Sequence, residues 1–335
     1  MSADLMITKE LELDIFRWLT HEVVSLIRQS ERRGTPGINF LTKLKLQKLL
    51  YMVIEDCELD LTRAWYMYGG VVWAPFDIYS LSHSFYNRQE TLSDTAISSL
   101  EQRLGSSKMN FIRNNLTEKF SNVFFKAGRE FLLDFYEDRA PEHFQTIYRT
   151  FRDYVSLYTS IMNPERAFDV KSLKLLPSYD PWHQAHRLQG YLSDFHLEVA
   201  KVIVKDLLQM VVDFTNLMEK VVVNVAWKRH QEEEISSNEL QILLNLENMF
   251  ENTAWKLVAN HIAIETVTGI RADEMKKRFQ NEQNEITTNL VTEIRNQTNF
   301  LKINNLLPKA SILKEYFETK YGDLFEEVMG TESVR

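Results

Sequence analysis

Ten glycines and seven prolines are all that punctuate 335 residues. Glycine supplies the positive-φ positions of tight turns, and proline stops helices, so a chain poor in both has few turns and long elements. Apolar residues recur by threes and fours almost throughout, and strand-like alternation is almost absent. The pattern predicts an all-α fold, with an N-terminal helical module followed by long antiparallel helices of the bundle or coiled-coil kind.

The first helix is expected over about 10–29, with Phe16, Leu19, Val23 and Ile27 on one stripe. Gly34-Thr-Pro-Gly37 breaks the chain, and a second helix begins near Thr42. There Leu46, Leu49, Leu50, Val53, Ile54 and Cys57 share one face, and Lys48, Tyr51 and Glu55 take the opposite one. Residues 65–75 read as a tight loop or a short extended pair. Further helices are expected over 77–85, 93–104, 110–137 and 141–161. Residues 163–179 hold two prolines and read as a linker, which divides the chain into 1–165 and 166–335. Asp180-Pro181 is a helix start, an acceptor at the N-cap followed by proline at the first helical position. Helical spacing then runs on to about Glu234, with Gly190 and Asn224 as places for a break. Helices over 237–270, 272–301 and 308–328 complete the reading.

A hydrophobic fraction of 44% is enough for a packed core and argues against disorder. The net charge of -8 argues against nucleic acid held by a broad basic surface. Within residues 1–90 the 10 Lys and Arg are outnumbered by 12 Asp and Glu, so Arg28, Arg32, Arg33, Lys43, Lys45 and Lys48 read as a solvated face. Cys57 is the sole cysteine, which rules out an intramolecular disulfide and any multi-cysteine zinc site. No basic stretch followed by an apolar run opens the sequence, and no apolar run of about 18 residues occurs. The expectation is a cytoplasmic protein with no membrane association.

The most tempting chemical cluster is His183-Gln-Ala-His186 with Asp194 and His196 downstream. His183 and His186 are helical neighbours, but His196 lies about 220° around the axis from His183. One helix cannot close that site, so His183 and His186 are weak metal ligands at best and no cofactor is expected. Cys57 with His83 as base is the corresponding nucleophile pair. Cys57 continues an apolar stripe, where a cysteine behaves as a small hydrophobe. Phosphate-loop and dinucleotide-binding glycine patterns are absent.

One pair of blocks has family character. Leu46-Gln-Lys-Leu-Leu-Tyr51 and the turn Trp65-Tyr-Met-Tyr-Gly-Gly-Val71 resemble the opening of Panacea-domain proteins, a phage-associated antitoxin family. That family has a Trp-x-x-Tyr-Gly-Pro-Val type turn, and Gly70 stands where it has proline. The resemblance implies a mostly helical, non-catalytic module that neutralises a toxin by protein contact. It makes Leu46, Leu49 and Leu50 core, and Lys48, Tyr51, Trp65 and Tyr68 partly exposed contact residues. Trp65 and Tyr68 serve equally well as packing on the second helix. The functional expectation is an interaction protein acting by sequestration, with self-association through the C-terminal helices. The alternatives are a nucleic-acid-binding transcriptional regulator and a metal-dependent hydrolase.

Overall fold

The computed structural model describes residues 7–126, 128–162 and 180–318, and these form helices and one two-stranded hairpin, an all-α architecture. Among the described residues no helix is long and apolar enough to cross a membrane. The chain divides into two units, one of 1–142 with 262–281 and one of 143–261 with 282–335. The first unit is therefore discontinuous in sequence, unlike the contiguous 1–165 and 166–335 expected. The 163–179 linker lies outside the described residues.

The first unit begins with α1 (Lys9–Glu31), a 3-10 turn (Ile38–Phe40) and α2 (Lys43–Asp56). The hairpin β1 (Arg63–Tyr66) and β2 (Gly69–Val72) follows, then α3 (Ile78–Tyr86), α4 (Asp94–Leu104), α5 (Ser106–Phe124) and α6 (Gly128–Arg139). Four of these helices start where a side-chain oxygen takes up a free backbone N–H: Thr8 accepts from Leu11, Thr42 from Lys45, Asp77 from Tyr79 and Ser80, and Ser93 from Ala96. The stripe Phe16, Leu19, Val23 and Ile27 is buried, as are the six stripe residues of α2. Each such side chain contributes roughly 1.5–3 kcal/mol on leaving water. The 110–137 helix is in fact two, α5 and α6, separated at Phe125 and Lys126.

The hairpin is antiparallel, with Trp65 opposite Gly70 and Tyr66 opposite Gly69. Successive strand residues face opposite sides. Trp65 therefore meets Tyr51, Phe135 and Tyr136, whereas Tyr66 meets Trp73 and Phe279. The second of these faces packs in a core of Ala64, Ala263, Val267, Met275 and Phe279, contributed largely by the returning segment.

In the second unit are α7 (Glu142–Met162), α8 (Pro181–Ala200), α9 (Lys205–His230), α10 (Ser237–Phe250), a π-turn (Glu251–Trp255) and most of α11 (Lys256–Thr266). The later part of α12 (Ala272–Ile303) and a helical stretch over 310–318 complete its described residues. Asp180 caps α8 by accepting from Trp182 N, with Pro181 in the first turn. The continuous helix expected over 180–234 does not form. It breaks at 201–204, and Gly190 and Asn224 both lie within helices. The two halves fold back, so that Trp182 at the start of α8 lies 5.5 Å from Trp227 near the end of α9. Folding back buries Leu188, Leu192, Phe195 and Val199 against a helix carrying Val211, Phe214, Met218 and Val221. Two isolated stripes on one straight rod would leave that surface in water. The π-turn interrupts the helix expected over 237–270, and Trp255 stacks on Phe151 with centroids 3.7 Å apart.

Candidate functional site

The polar residues of α2 meet the hairpin. Lys48 is fully buried, and its Nζ donates to Gly70 O at 2.7 Å with the Phe135 ring 5.2 Å away. Burial holds its pKa well below the usual lysine value. Gln47 Oε1 accepts from Val72 N at 2.8 Å. Gly70 O and Val72 N belong to the outer edge of β2, which would otherwise be unpaired. Tyr51 OH accepts from Trp65 Nε1 at 2.7 Å and donates to Glu55 Oε1 at 3.2 Å. Burial, and then the Glu55 charge, push the Tyr51 pKa up.

This polar line continues outward. Arg139 donates to Glu55 Oε2 at 3.2 Å and grips both oxygens of Asp56, and Lys119 lies 3.1 Å from Asp56. Burial raises the Asp56 pKa, but the hydrogen bonds from Arg139 and Lys119 outweigh it and hold the carboxyl below its ordinary value.

Lys48, Tyr51 and Trp65 are thus 0%, 5% and 1% exposed, not the partly exposed contact residues expected; Tyr68 is half-buried. The physical reason is the hairpin. It covers the polar face of α2, and the polar groups on that face satisfy backbone at the strand edge. Gly70 follows from the same packing, because a Cβ there would meet ring carbons of Tyr51 at 2.7–2.8 Å. A proline, which carries that Cβ, does not fit without moving a tyrosine held at its hydroxyl.

The opposite edge of β1 is closed by the segment between α11 and α12. Arg63 and Thr268 exchange backbone hydrogen bonds of 3.1 and 2.9 Å, and Thr266 Oγ1 accepts from Trp65 N at 2.9 Å. Beside them lies a buried carboxylate. Glu12 accepts from Thr62 N at 2.7 Å, Thr62 Oγ1 at 2.6 Å and Arg271 Nε at 2.8 Å. Neither Glu12 nor its partners stand out in sequence, since they lie 50 and 259 positions apart.

Where the chain leaves β2 it opens a surface cleft of about 430 Å3. Trp73, Phe76 and Met275 supply its apolar walls, Asp77 and Glu274 are acidic lining residues, and Arg278 lies over the Trp73 ring at 5.3 Å. The helical periodicity of α12 and the loop after β2 gave no signal that these residues meet.

The remaining sequence-predicted groups are dispersed. Cys57 is buried, and burial pushes its thiol up to about 11. His83 packs instead on Tyr79. His183 is exposed, His186 stacks on Tyr316 at 4.4 Å, and His196 Nε2 bonds Thr215 Oγ1 at 2.7 Å. Among the described residues no three His, Cys, Asp or Glu side chains gather into a metal-binding group.

No curated protein and no solved structure shows a match to this chain. A family model, described as a domain of unknown function (DUF8098), matches residues 10–332, nearly the whole chain, and the protein belongs to that family.

Proposed function

We propose that this protein is a non-catalytic interaction protein, antitoxin-like in the sense of the Panacea resemblance, which sequesters a protein partner in the cytoplasm. The observation that carries this reading is the cleft at the exit of the hairpin. Trp73, Phe76, Met275 and Arg278 are of the residue types concentrated in interface cores and hot spots. The cleft is seated beside a hairpin whose two outer strand edges are hydrogen-bonded within the molecule, and a base held in this way lowers the entropy lost on association. Lys48, Tyr51 and Trp65 act in this reading as the scaffold beneath the contact surface rather than as the surface.

The test is co-expression of the protein with the products of its neighbouring genes, scored for relief of toxicity and for co-purification. The expected result is one specific protein partner, with Trp73→Ala and Arg278→Ala each weakening the complex by at least tenfold while leaving the far-ultraviolet spectrum unchanged. Retention of full affinity by both variants would show that the cleft is not the contact surface.

A further inference from the structure

We infer that residues 266–271 are a clasp that ties the base of this cleft and opens as a unit, with the Glu12–Arg271 pair as its lock. One wall of the cleft, Trp73 to Asp77, comes from the loop after β2, and the other, Arg271 to Arg278, from the start of α12. The two walls are about 200 positions apart in the chain. Thr62 links the two: its O accepts from Trp73 N at 2.8 Å and its Oγ1 accepts from Arg271 N at 3.1 Å. The Arg63–Thr268 bridge, the Thr266 bond to Trp65 N and the Arg271 bond to Glu12 hold the same segment on β1 and α1. The closed clasp thus ties the base of the cleft at Thr62, and opening it releases that tie while the packing of Trp73 on Phe279 and Arg278 remains.

The clasp is built to seat in one place. Gly269 has φ +97, and a Cβ there would meet Leu61 C and O at 2.5 Å, so the backbone lies directly on the chain entering β1. The lock is a discrete charge pair. With Arg271 removed, Glu12 keeps its carboxylate fully buried and loses its cation, which is strongly destabilising locally. An open clasp also bares the β1 edge, whose N–H and C=O groups then have only water as partner.

That the clasp bears on partner contact rests on the reading of the cleft given above; that it opens as a unit does not. Hydrogen exchange of the full-length protein, with no partner present, tests the second point by itself. In Arg271→Met, exchange of the Thr62, Arg63, Trp65 and Thr268 amides is expected to rise by at least tenfold together, with the amides of 46–53 in α2 of the same unit unchanged. Thr266→Val, a milder change that removes one bond to the strand, is expected to raise exchange at Trp65 by several-fold. Wild-type exchange at 62–65 in both variants would overturn the proposal. So would a rise in Arg271→Met shared equally by 46–53, since that is unfolding of the whole unit.

Discussion

Lys48 holds an amine where water does not reach it, hydrogen-bonded to Gly70 O beside the Phe135 ring. Because burial lowers its folded-state pKa well below 10.5, the unfolded chain carries the extra proton at every pH between the two values. Stability from this residue is therefore lost at lower pH and recovered as pH rises through that window. The expected slope is at most about 1.4 kcal/mol per pH unit. Urea midpoints of the wild type and Lys48→Met, compared from pH 7 to about 10, should show the wild type gaining on the variant as pH rises. A difference that stays constant with pH would mean that the amine is not desolvated. The sequence placed Lys48 correctly on the face of α2 opposite the leucines. It could not show that this face is covered, because a lysine at a strand edge and a lysine in solvent have the same helical azimuth.

Elements were legible where their signals are local. The starts at Thr42, Asp77, Ser93 and Asp180 are side-chain caps, readable from the residues themselves. The break at 201–204 was not legible, since Val199, Ile203 and Leu207 keep the helical spacing across it and no glycine or proline marks it. The hairpin of α8 on α9 is joined near its turn by His196, in the last turns of α8, and Thr215. Burial pushes the His196 pKa down to about 4 from 6.5. As pH falls through 6.5 the unfolded chain takes up the proton first, so stability declines from there to about pH 4 and levels off below. The loss is on the order of 2 kcal/mol, given that the ring is partly solvent-screened. His196→Gln should flatten this part of the pH profile of unfolding, measured by circular dichroism in urea. A variant profile parallel to that of the wild type would exclude His196 as its source.

At the scale of the whole molecule, the unit that carries the family-like motif borrows 262–281 from far along the chain. A fragment ending at residue 165 therefore lacks Arg271, the Thr268 bridge and the Phe279 face of the hairpin core. It should show no cooperative thermal transition, because removing one member of a buried pair alone costs roughly 3–5 kcal/mol, a large share of what a domain has. A fragment that melts cooperatively and protects the amides of 62–65 would show that the unit is autonomous. Sequence alone determined the all-α class, the capped helix starts and the buried stripes, because periodicity and capping act within a few residues of chain. Tertiary structure decided which polar residues of α2 are interior, where the long helix folds back, and which distant segments close the β1 edge and form the cleft. Those outcomes depend on contacts between residues up to 259 positions apart, such as Glu12 and Arg271, and no local pattern encodes them.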